Sequence, residues 1–190
     1  MRRYGGLDPG FRVGAAAVVY ESGELDTVYS WRADDNRVSH HRYYLRQHYW
    51  TGEEWLEQRL HKSQTFEQCM IALCERMPTL QMAAVEGMFL SHNAKQRNQG
   101  SINLLEAAGA GALVMAQASE APPVRPKAAV WRKAMMRVNP YTKRKAAAEM
   151  EKKYAEIRWP KALKAKRFAQ HVYAACWLAD YARLTEQRWR

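Results

Sequence analysis

Hydrophobic and polar positions divide the chain into short β-type runs at the start and helical runs later. Residues 2 to 8, 11 to 20 and 25 to 32 are apolar or alternating. The last two are joined by Glu21-Ser22-Gly23-Glu24, so the opening predicts three antiparallel strands. Met82 to Leu90 is a further apolar run that predicts a strand. Apolar positions three and four apart predict a helix from Phe66 to Arg76, stopped by Pro78, and a second from Ile102 to Ala118 with Ser101 as its N-cap. Phe168 to Ala179 predicts a buried closing helix. Residues 34 to 64 are polar and aromatic and fit neither period. Thr51-Gly52-Glu53-Glu54 within them reads as a helix start.

A length of 190 residues suits one α/β domain with a sizeable core, carrying residues 34 to 64 as an insertion. The insertion crowds His40, His41 and His48 together. It has neither cysteine nor regular ligand spacing, which favours a nucleic-acid-contacting segment or a surface loop over a zinc site. Thirty Lys and Arg against nineteen Asp and Glu give a net charge of +11, which suits a polyanionic partner. Three cysteines in apolar helical patterns make neither a disulfide framework nor a zinc site, so a reducing, cytoplasmic setting is expected. No run of eighteen apolar residues points to a membrane.

Candidate chemistry centres on carboxylates in apolar surroundings. Asp8 ends the first strand before Pro9-Gly10, where a hairpin can present it to a metal ion. Glu86 interrupts the run Met82 to Leu90, and an uncompensated carboxylate there costs several kcal/mol. The two on adjacent strands are suited to Mg²⁺ or Mn²⁺. His171 on the closing helix is the candidate third ligand, and position 174 shares its face one turn on.

Leu-Asp-Pro-Gly on the first strand, Val-Glu-Gly-Met-Phe on the strand from Met82, a small-residue helix after it and a closing His-x-x-x-Ala helix resemble the RuvC-type Holliday junction resolvases over most of the chain. The resemblance implies an α/β, RNase H-like fold: a mixed five-stranded sheet, antiparallel in its first three strands, with helices on both faces. It implies two Mg²⁺ or Mn²⁺ ions held by Asp8, Glu86, His171 and position 174, and a homodimer that nicks four-way and other branched DNA in a bacterial cell or a phage-infected host. Position 174 departs from the pattern, being Ala174 where an Asp is implied, and reads as an inactivating substitution. Asp180 is no replacement, because six further helical residues place it about 120° round and roughly 9 Å along.

The same resemblance implies that Phe89 stacks on a base beside the cut, and that Lys143 or Lys145 lies near the cleaved phosphate. Arg125, Lys127 and Arg132 are further candidate DNA contacts, on a Pro-basic turn and the helix after it. The run Ala107 to Ala112 lets another backbone approach, either within the molecule or across a dimer. Three alternatives stay open. One is another RNase H-like nuclease acting on RNA-DNA hybrids or in transposition. The others are a non-catalytic branched-DNA-binding module and a basic scaffold that binds nucleic acid by charge alone.

Overall fold

The computed structural model describes all residues except 35–41, 88–98, 137–148, 150–151, 154–156, 158, 165 and 190. Strands β1 (Arg3–Asp8), β2 (Val13–Tyr20) and β3 (Leu25–Asp34) form the expected antiparallel meander. Strand β6 (Met82–Val85) adds to β1 in parallel, and backbone bridges from Ala84 to Val124 and from Gly87 to Lys127 carry the parallel edge one position further. The sheet is mixed, antiparallel through β1 to β3 and parallel between β1 and β6.

From Arg42 to Ser63 the insertion is a strand hairpin, neither a surface loop nor a helix. It extends the sheet with β4 (Arg42–Trp50) and β5 (Trp55–Ser63), giving six named strands in the order β5-β4-β3-β2-β1-β6 instead of five. Tyr43 and Leu45 are buried on one face of β4, a period-two signal masked by the aromatic residues on its other face. The predicted helix start at Thr51 is the hairpin turn. Gly52 takes φ +95°, and Thr51 Oγ1 accepts from the backbone N–H groups of Glu53 and Glu54. A Thr followed by acids satisfies the same N–H groups in a turn as at a helix cap, so the local signal was ambiguous.

Helix α1 (Phe66–Cys74), capped by Thr65, and α2 (Gln99–Ala118) cover one sheet face together with Leu7, Val18, Tyr29, Trp31 and Leu45. The backbone is already helical at Gln99, so Ser101 lies inside α2 and is not its cap. Within the small-residue run, a Cβ on Gly111 would lie 2.6 Å from Leu7 Cδ2, whereas Gly109 faces open space. Part of that run therefore serves packing within the molecule. Helices α3 (Ala128–Met136), α4 (Lys161–Lys164) and α5 (Lys166–Trp189) lie on the opposite face. There α5 packs along β1 and β2. Its closeness to β1 depends on Gly6, where a Cβ would stand 2.1 Å from both Ala175 O and Ala179 N.

Candidate functional site

Register fixes the two acids. Tyr4 and Ala84 belong to the core on the α5 side, so alternation along β1 and β6 turns Asp8 and Glu86 to that side as well. Leu7 pairs with Val85, and Glu86 N–H donates to Leu7 O at 3.0 Å, which puts the carboxylates beside each other where the two parallel strands end. The turn after Asp8 is pinned by Trp31 Nε1–H donating to Gly10 O at 2.8 Å, and a Cβ on Gly10 would collide with Val13 O at 1.7 Å. The Asp-Pro-Gly sequence thus holds Asp8 in place.

His171 arrives from α5. Its Nδ1 lies 2.9 Å from Asp8 Oδ2. An ionised carboxylate only accepts, so Nδ1 carries the proton. Arg132, on α3, completes the group with Nη2 3.2 Å from Glu86 Oε1, and its guanidinium carbon is 5.1 Å from the centre of the Trp131 ring. Burial and the adjacent Asp8 push Glu86 up to about 7, while Arg132 pulls it down. The acid pair is short of positive charge.

The structure brings Asp8, Glu86 and His171 together, with Asp8 next to each of the others. Ala174 is half-buried one turn beyond His171 and contributes a methyl group. Asp180 is fully engaged elsewhere, with Arg183 Nε 2.8 Å away and Lys153 Nζ against its other oxygen. Arg125 and Lys127 are exposed on the bridge beside β6, whereas Arg132 turns inward to Glu86. Phe89, Lys143 and Lys145 lie outside the described residues. Sequence reasoning missed the inward Arg132. The one available signal was its place in the first helix after the segment bridged to β6 and Gly87.

The donor set suits a hard divalent cation: two carboxylates short of positive charge, with an imidazole on one of them. Among the described residues no three or more His, Cys, Asp or Glu side chains are grouped closely enough to hold a metal ion by themselves. Burial raises the thiols of Cys69 and Cys176 to about 12, which keeps both as inert core residues. Among the described residues no helix is long and apolar enough to cross a membrane.

No family model and no curated protein matches the chain. Among solved structures it is similar to one described as Thermus thermophilus RuvC structure, at 14% identity, 96% coverage of both chains and a TM-score of 0.49.

Proposed function

We propose that this chain recognises four-way and other branched DNA as a homodimer and belongs with the structure-selective endonucleases of RuvC type, its own cleavage impaired by Ala174. The observation that carries the reading is the pairing of Asp8 and Glu86 at the ends of two parallel strands, with His171 held on Asp8. Two acids and an imidazole converging from three distant segments have no evident purpose in stability. Their burial costs desolvation and the two acids repel each other. A net charge of +11 supplies the attraction for DNA.

The reaction is hydrolysis of a phosphodiester. Water oxygen bonds to phosphorus, the bond from phosphorus to O3′ breaks, and the water proton leaves with the products as a 3′ hydroxyl and a 5′ phosphate form. Divalent ions, Mg²⁺ or Mn²⁺, would supply positive charge to the phosphate and acidify the water. Asp8 and Glu86 would hold them, and the resemblance implies an acid as fourth ligand where this chain has Ala174. Asp8 fixes the His171 ring through Nδ1, and the imidazole so held can take up or pass a proton. Loss of one acid from such a set costs several orders of magnitude in rate, by analogy with other removed catalytic groups.

The test compares the chain with Ala174→Asp for binding and for Mg²⁺- or Mn²⁺-dependent nicking of a four-way junction, with Asp8→Asn in the Ala174→Asp background as control. The expected result is junction binding by all three and cleavage by Ala174→Asp alone. Duplex or RNA-DNA hybrid outcompeting the junction would replace this reading with another RNase H-like nuclease. The second reading, a non-catalytic branched-DNA-binding module, is favoured by Arg132 lying on Glu86. It predicts junction binding with no cleavage by any of the three.

A further inference from the structure

We propose that the outer sheet face of the β4-β5 hairpin, centred on Arg32, Tyr44 and Lys62, is a track for the phosphate backbone of a DNA arm leading away from Asp8. The proposal rests on the branched-DNA reading above and assigns a role to the inserted hairpin.

Strand register places these residues. Asp8, Ala15, Ser30, Arg46 and Arg59 are successive Cα partners across β1 to β5, and Val13, Arg32, Tyr44 and Lys62 form the next row. Tyr29, Trp31, Tyr43 and Leu45 are buried on the α1 side, so Arg32, Tyr44 and Arg46 point to the face that carries Asp8. On β5 a bulge opposite Leu45 and Arg46 inserts Leu60, shifting the alternation by one residue. Without it Lys62 would turn to the core side. With it, Lys62 Nζ lies 5.9 Å from the centre of the Tyr44 ring, and Ser63 is the residue that becomes buried.

Arg32 and Lys62 are exposed, as is Arg42 on the same face. Arg46 is matched by Glu57 at 3.2 Å, and Asp34 is the Cα partner of Arg42. Among the described side chains this leaves Arg32 and Lys62 as the cations of the face with neither an ion pair nor an acid as Cα partner, and an aromatic ring stands between them. Three strand spacings from β2 to β5 come to ~14 Å, the rise of roughly four base pairs. The row is therefore long enough to follow a backbone over several phosphates. DNA is the occupant chosen because this exposed row lies on the same sheet face as Asp8, beyond the buried Ala15 and Ser30, and its free charge is positive.

The test is equilibrium binding of a four-way junction with long arms, and of linear duplex, across a salt series. It uses the full chain, Arg32→Gln/Lys62→Gln, and Lys62→Arg, each checked by circular dichroism. The double variant is expected to lose about tenfold in affinity and to lower the salt slope by about two, while Lys62→Arg keeps both. The single variants Arg32→Gln and Lys62→Gln, each lowering the slope by about one, serve if the double variant misfolds. An unchanged affinity and slope on both DNAs would overturn the track. So would a loss seen only on phosphatidylserine vesicles. If the unaltered chain binds junction and duplex alike but the variants still lose slope, the track stands and the junction preference falls.

Discussion

Arg132 Nη2 sits 3.2 Å from Glu86 Oε1, and both side chains are largely buried. The guanidinium is the positive group that the structure sets directly on the acid pair, which makes it a counter-charge for Glu86 before it is a contact for DNA. Replacing it with an uncharged group leaves Glu86 beside Asp8 with burial uncompensated. Arg132→Gln should raise the Glu86 pKa further above about 7, as followed by carboxyl NMR titration. It should cost ~1–3 kcal/mol in urea unfolding at pH 8, because Glu86 can escape part of the penalty only by taking up a proton. A fall in the Glu86 pKa would show that Arg132 does not stabilise the carboxylate.

The raised Glu86 pKa also predicts how stability depends on pH. Protons bind Glu86 more tightly in the folded chain than in the unfolded one, where the ordinary value is 4.5. Its stabilising contribution is therefore complete below about pH 4.5, declines as pH rises toward about 7, and is spent above that. Glu86→Gln removes the dependence. The difference between unaltered and Glu86→Gln unfolding free energies should slope downward across this window, and a flat difference would exclude a raised pKa. If the acid pair holds Mg²⁺ or Mn²⁺, added ion should stabilise the unaltered chain most above pH 7, where both carboxylates are ionised.

His48 works in the opposite direction. It is fully buried on β4, its ring centre 6.3 Å from that of Trp55, with no hydrogen-bond partner at either ring nitrogen. Burial lowers its pKa below the ordinary 6.5. The stability due to a neutral His48 is present above about pH 6.5 and is lost as pH falls below it. His48→Phe should flatten that acid-side loss, leaving the Glu86 trend exposed between pH 4.5 and 6.5. An unaltered acid-side loss in His48→Phe would assign the titration to another group.

How much of this site was legible follows from the kind of signal each residue gives. Asp8 and Glu86 stand out because each is a carboxylate in an apolar stretch, and His171 because it precedes a run of small helical residues. Arg132 gives no such signal. It is one cation in a basic stretch, and the bridges from Ala84 to Val124 and from Gly87 to Lys127 bring its helix to Glu86. The β4-β5 hairpin was hidden for another reason. Tyr43 and Leu45 alternate with Tyr44 and Arg46, but rings on both faces blur the contrast between buried and exposed that marks a strand. The bulge that turns Lys62 outward depends on pairing across the hairpin, which no local pattern specifies.

Gly6 links the packing of α5 to the placement of His171. A methyl group there would meet Ala175 O and Ala179 N at 2.1 Å, and these are backbone atoms in the middle of a long helix, with no side chain free to swing away. Gly6→Ala must push α5 off β1 or distort the strand, at a cost of ~2–4 kcal/mol. Because His171 lies one helical turn before Ala175, the same displacement separates its Nδ1 from Asp8 Oδ2. The expected outcome is a lower melting temperature together with a shifted His171 ring resonance, measured by differential scanning fluorimetry and NMR. Ala174→Asp/Gly6→Ala should also cleave a junction more slowly than Ala174→Asp at temperatures where both are folded. Full cleavage by a destabilised double variant would mean that the contact of His171 with Asp8 is not what positions the chemistry.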